Sequence, residues 1–143
     1  MRFHVLAVLT TGLALAGEVS SQDLPKKDFD KLQGTWQVVS LEREGKQEDP
    51  EGIKNLKLVI KGGTYTLQGG EEAFEGTFIL DPTSKPKRMD TKGAKIPRTQ
   101  GIYELKGDDL KICWAEGDTE RPREFATKPD SNLRLIVLKR EKK

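Results

Sequence analysis

From Gly34 onward, turn residues cut the chain into short runs in which large apolar side chains recur at every second position. Leu56, Leu58 and Ile60 alternate with Lys57, Val59 and Lys61, and Gly62-Gly63 separates that run from Thr64–Gln68. Gly69-Gly70 precedes a run at Ala73–Leu80, where Phe74, Phe78 and Leu80 share parity with Gly76. Gly107-Asp108 divides Gln100–Lys106 from Asp109–Ala115. A period of two is that of a pleated strand with one face in a core, and two-residue glycine turns are hairpin connections. Further strands are expected at Gly34–Glu42, Lys87–Thr91 and Leu133–Arg140, with a short segment near Arg123–Thr127. The only helical signal after the first residues is a turn at Asp28–Leu32, with Asp28 as its cap and Phe29 and Leu32 on one face. An all-β fold follows: an antiparallel, up-and-down barrel of about eight strands with a short N-terminal helical turn. Its strongest strands are the first and the last, where such a barrel must seal itself.

The N-terminus obeys a different pattern. Met1-Arg2-Phe3-His4 is a short positive start, Val5–Ala16 is an uncharged run of 12 residues, and Ala14-Leu15-Ala16 is a small-x-small cleavage pattern. These are the parts of a secretory signal peptide, and the run is well short of the ~20 apolar residues that span a bilayer. The expected organisation is a signal peptide at 1–16, a flexible lead-in at 17–27 and one barrel domain at 28–143. Val19-Ser20-Ser21 offers a second cleavage position. The mature protein is expected to be secreted or periplasmic, with no stable membrane insertion.

Export also limits the chemistry. The sole histidine, His4, lies in the segment to be removed, and the sole cysteine, Cys113, has no partner for an intrachain disulfide. Proton shuttling by imidazole, serine or cysteine triads and histidine metal sites lose their usual parts. No catalytic residue, metal or cofactor is expected, and Cys113, of opposite parity to Ile112, is expected to be a buried, inert thiol outside the lumen. The 25 Lys+Arg and 23 Asp+Glu are interspersed and leave a net charge of +2, which gives no basic field for nucleic acid. The paired carboxylates Glu71-Glu72 and Asp108-Asp109 sit in turns and lack the spaced oxygen ligands of a calcium loop.

Gly34-Thr35-Trp36 stands just after the helical turn and opens the first strand, and Arg140 ends the last one. Together with Gly76-Thr77-Phe78, Asp81-Pro82-Thr83-Ser84, Gly101-Ile102-Tyr103-Glu104-Leu105 and Leu110-Lys111-Ile112-Cys113, this series resembles a lipocalin-like family of unknown function common in exported planctomycete proteins. The resemblance covers residues 29–140. It implies a lipocalin-like barrel in which Trp36 plugs one end and Arg140 packs across its ring, a cation–π contact. It implies no activity.

Packing alone accounts for Trp36, and it favours a lumen filled by side chains; a barrel of about eight strands can instead hold one small ligand. Inward parity then makes Tyr65, Phe74, Phe78, Tyr103 and Trp114 the candidate ligand-contacting walls, reached from the end opposite Trp36. The leading functional reading is a binding protein for a small apolar or amphipathic molecule; the alternative is a structural or protein-interaction domain with a filled core. The stretch Asp81–Asp90 reads as a turn in which Asp81 accepts backbone N–H bonds with its lysines in solvent, or else as a polar rim. Arg121 and Arg123 are anion ligands only if they turn inward. Intact-mass measurement of exported protein should show cleavage after Ala16, and retention of residues 1–16 would rule out the leader.

Overall fold

The computed structural model describes residues 23–93 and 98–142, so the leader expected at 1–16 lies outside the described residues. The elements are α1 (Asp23–Leu32), β1 (Gly34–Arg43), β2 (Lys46–Gln47), α2 (Pro50–Ile53), β3 (Lys57–Lys61), β4 (Thr64–Gln68), β5 (Phe74–Asp81), β6 (Lys87–Gly93), β7 (Thr99–Lys106), β8 (Asp109–Ala115) and β9 (Leu133–Arg140). All strand pairs are antiparallel, each of β3 to β9 beside its neighbour in sequence. β1 pairs with both β3 and β9, which closes an up-and-down barrel of eight strands, and β2 extends it from the far end of β1. The seal runs in register from Trp36 opposite Arg140 to Arg43 opposite Arg134. The register shifts between Val38 and Ser40, and Val39 at this bulge turns outward.

Strand direction sorts the barrel into two ends. At one lie the start of β1, the end of β9 and the β5–β6, β7–β8 and β3–β4 turns; here Leu32, Trp36, Leu110 and Leu138 are fully buried. Helix α1 covers this end. The Phe29 ring stands 5.9 Å from that of Phe78, and Gln33 clamps the β3–β4 turn by accepting from Gly62 N–H at 2.6 Å and donating to Gly62 O at 3.2 Å. Trp36 Nε1 donates to Leu32 O at 2.9 Å, and the Arg140 guanidinium lies 4.3 Å from the centre of the Trp36 ring. Arg140 also donates to Gln33 O, Lys31 O and the Asp108 carboxylate. Gly34 sits at φ +123°, a left-handed conformation that favours glycine, which gives a reason for Gly-x-Trp at this corner.

Two sequence expectations are corrected, and one short element is added. Asp28 is no cap, because the helix begins at Asp23 and takes in part of the expected lead-in; Asp28 lies mid-helix, only 8% exposed. Arg123–Thr127 is no strand but part of the long β8–β9 connection, held by side chains: Thr127 Oγ1 donates to Glu42 at 2.6 Å and accepts from Gly45 N–H at 2.7 Å. The short α2, opened by Asp49 accepting from Glu51 N–H and Pro50 in its first turn, was not read from the sequence.

Trp36→Ala should cost about 3–5 kcal/mol in chemical denaturation, because it empties the closed end, and Arg140→Ala about 1–3 kcal/mol, since the carbonyls it leaves can meet water. A Trp36→Ala cost below that of Arg140→Ala would contradict this ranking.

Candidate functional site

The lumen is not filled. Between the closed end and the opposite mouth lies a cavity of about 320 Å³, which corrects the expectation of a lumen packed by side chains. Phe78, 7% exposed and backed by Phe29, forms its floor. Leu58, Ile60, Leu67, Ile112 and Ile136 supply apolar walls from β3, β4, β8 and β9. Phe74 lines the cavity yet is 40% exposed, which marks the open side.

One wall is polar. Thr91 and Thr99 stand opposite each other on β6 and β7 with their hydroxyls 2.5 Å apart. Tyr65 reaches this pair because it faces Gly76, where the absence of a side chain lets the ring lie across β5; a Cβ there would come within 3.0 Å of Tyr65 Cε1. Burial pushes the Tyr65 phenol up, opposed by a hydrogen bond with Thr91. Charge is confined to the mouth, where Arg43, Glu116 and Arg134 line the rim. The sequence reading missed this rim, since a charge at a strand end looks like ordinary solvated surface; it also missed the two threonines, whose inward parity was the available signal.

Of the five expected wall residues, the structure brings Tyr65, Phe74, Phe78 and Trp114 around the one cavity. Tyr103 is not among them. It faces inward but sits lower, at the closed end, 1% exposed, with its hydroxyl donating to Asp28 Oδ2 at 2.6 Å. Lys87 Nζ donates to the same oxygen at 2.9 Å, so this lysine is tied to α1 and is not a free solvent charge. Burial, and next the bond to Asp28 and its charge, push the Tyr103 phenol far above the usual range.

The remaining candidates resolve into structural contacts. Asp81 accepts from Thr83 N–H at 3.0 Å and from the Thr83 and Ser84 hydroxyls, which hold its carboxyl below the usual range, as a turn-forming aspartate does. Arg121 donates to Asp90 at 2.6 Å and to Gly101 O at 2.7 Å and so pins the β8–β9 connection against β6 and β7; Arg123 is exposed. Under that connection Cys113 is fully buried, its Sγ 3.6 Å from Ala126 O. Among the described residues no group of three or more His, Cys, Asp or Glu side chains is placed to hold a metal ion, and no helix is long and apolar enough to cross a membrane. No family model, curated protein or solved structure matches the chain.

Burial pushes the Cys113 thiol from 9.0 up to about 11. The unfolded thiol ionises first, so folding stability is whole below about 9 and declines as pH rises toward about 11. Denaturation across that window should give a steeper decline for the parent than for Cys113→Ala, and equal slopes would contradict the assignment. A thiol reagent at mild pH should label Cys113 only after unfolding.

Proposed function

We propose that this chain is an exported, lipocalin-like binding protein that holds one small apolar or amphipathic molecule inside its barrel. The cavity of about 320 Å³ between Phe78 and the mouth carries this reading. Ligand sites are typically concave, mainly apolar, interrupted by a few placed polar groups and roughly 300–1,000 Å³ in volume. This one is at the small end, with one hydroxyl wall. Trp36, Arg140 and α1 occupy the other end, so the mouth beside Phe74 is the route in. Export rests on the charged start, apolar run and cleavage pattern of the first 16 residues. The family resemblance rests on Gly34-Thr35-Trp36 and on the Arg140 packed across the tryptophan. The role is binding without catalysis, since no imidazole follows His4.

Trp114 on the wall is the built-in reporter. Titration with fatty acids, aromatic compounds and isoprenoids should change its fluorescence, and native mass spectrometry of freshly purified protein should reveal a bound small molecule. Phe78→Trp should obstruct the cavity and weaken binding with a stability loss below about 1 kcal/mol, whereas overpacking a filled core costs about 1–3 kcal/mol. Silent titrations, no bound molecule and a full overpacking cost would together favour an interaction domain instead.

A further inference from the structure

Two guanidiniums stand at the mouth where strand pairing gains nothing from them. Arg43 on β1 and Arg134 on β9 are directly opposite in the barrel seal, and both line the cavity. Like charges facing each other across a strand pair are destabilising. Among the described residues each has one carboxylate partner: Glu48 is 3.0 Å from Arg43 Nε, and Glu116 is 3.5 Å from Arg134 Nη2. Arg134 also donates to Leu133 O at 3.2 Å. A guanidinium carries five N–H donors, so both retain donors for a ligand. Deeper in the cavity the lining offers hydroxyls but no charge.

We propose that the occupant is a single-chain anionic amphiphile whose carboxylate is held between Arg43 and Arg134 at the mouth, with its apolar tail running down toward Phe78. This deepens the binding reading above and rests on it. The orientation follows from desolvation: a carboxylate among hydroxyls and aliphatic walls loses far more hydration than these groups return, whereas at the rim it keeps water and gains two charge-assisted donors. A planar carboxylate matches the guanidinium fork, and a cationic head would face two like charges against the one rim carboxylate, Glu116, which Arg134 already engages. The cavity volume of about 320 Å³ fits one short chain rather than a two-chain lipid.

The test is calorimetric titration of the full mature chain with monomeric dodecanoate, dodecanol and dodecyltrimethylammonium at neutral pH and low salt. Dodecanoate should bind about 3- to 10-fold more tightly than dodecanol, as expected for partly exposed ion pairs, with the cation weakest. The preference should shrink toward unity at about 0.5 M NaCl, a comparison that needs no substitution. The double variant Arg43→Gln, Arg134→Gln should lose the preference, with Arg134→Gln alone the more damaging single change because that side chain is 16% exposed against 54% for Arg43. Dodecanol binding as tightly as dodecanoate, or a preference indifferent to salt, would overturn the anionic head and leave the barrel reading standing. Failure of all three to bind would overturn the anionic amphiphile and, joined to silent titrations with aromatic compounds and isoprenoids, the barrel reading as well.

Discussion

Arg140 on Trp36 is the contact on which the rest of the molecule depends. The two residues are opposite each other at the end of the barrel seal, so the cation–π contact at 4.3 Å joins the first strand to the last. The same guanidinium accepts no bonds and donates to Lys31 O and Gln33 O at the end of α1 and to Asp108 in the β7–β8 turn. The last carbonyls of a helix have no partner within the helix, and an arginine nearby supplies both donors and favourable charge. One side chain therefore ends α1, fixes the helix over the barrel and shields the indole. Trp36 returns the arrangement by donating its own N–H to Leu32 O.

With that end closed, α1 needs a second anchor to sit flat across it, and Asp28 provides one. A carboxylate on the barrel-facing side of a helix is costly unless its charge is met. Here the Tyr103 hydroxyl and the Lys87 ammonium both reach Oδ2, from adjacent strands of the sheet. The arrangement specifies where the helix docks more than it adds stability, because an apolar residue could pack in the same place but would not select one position along the groove. The closed end is thus set by directed bonds, and the mouth by apolar walls with a charged rim.

The fold was legible because a period of two reports which face of a strand looks inward, and glycine turns report where one strand gives way to the next. Height along the barrel axis is not encoded in that period. Tyr103 and Trp114 share inward parity on neighbouring strands, yet one is sealed beneath α1 and the other lines the cavity. Arg43 and Arg134 lie far apart in the chain, and only the β1–β9 register brings them face to face. Parity put Cys113 outside the lumen and the habit of free thiols made it buried, but the segment covering it was misread as a strand. Arg123–Thr127 lies against the barrel through side-chain bonds from Thr127 and Arg121, and such bonds leave no alternation in the sequence.

The reach of Tyr65 across β5 had no such signal, and the glycines beside it explain why. Three inward-facing positions on adjacent strands are glycines: Gly76 on β5, Gly93 on β6 and Gly101 on β7. A shortage of bulky residues would be easily repaired by substitution, but two of these positions resist it. A Cβ at Gly76 would fall 2.5 Å from Lys92 O, and one at Gly101 would fall 2.8 Å from Cys113 O, both backbone atoms that cannot simply rotate away. Strands approach closely here, as they do where a sheet coils to close a barrel. Tyr65 lies over Gly76, which brings its hydroxyl to Thr91. The close approach at Gly76 is thus what lets Tyr65 join the hydroxyl wall of Thr91 and Thr99.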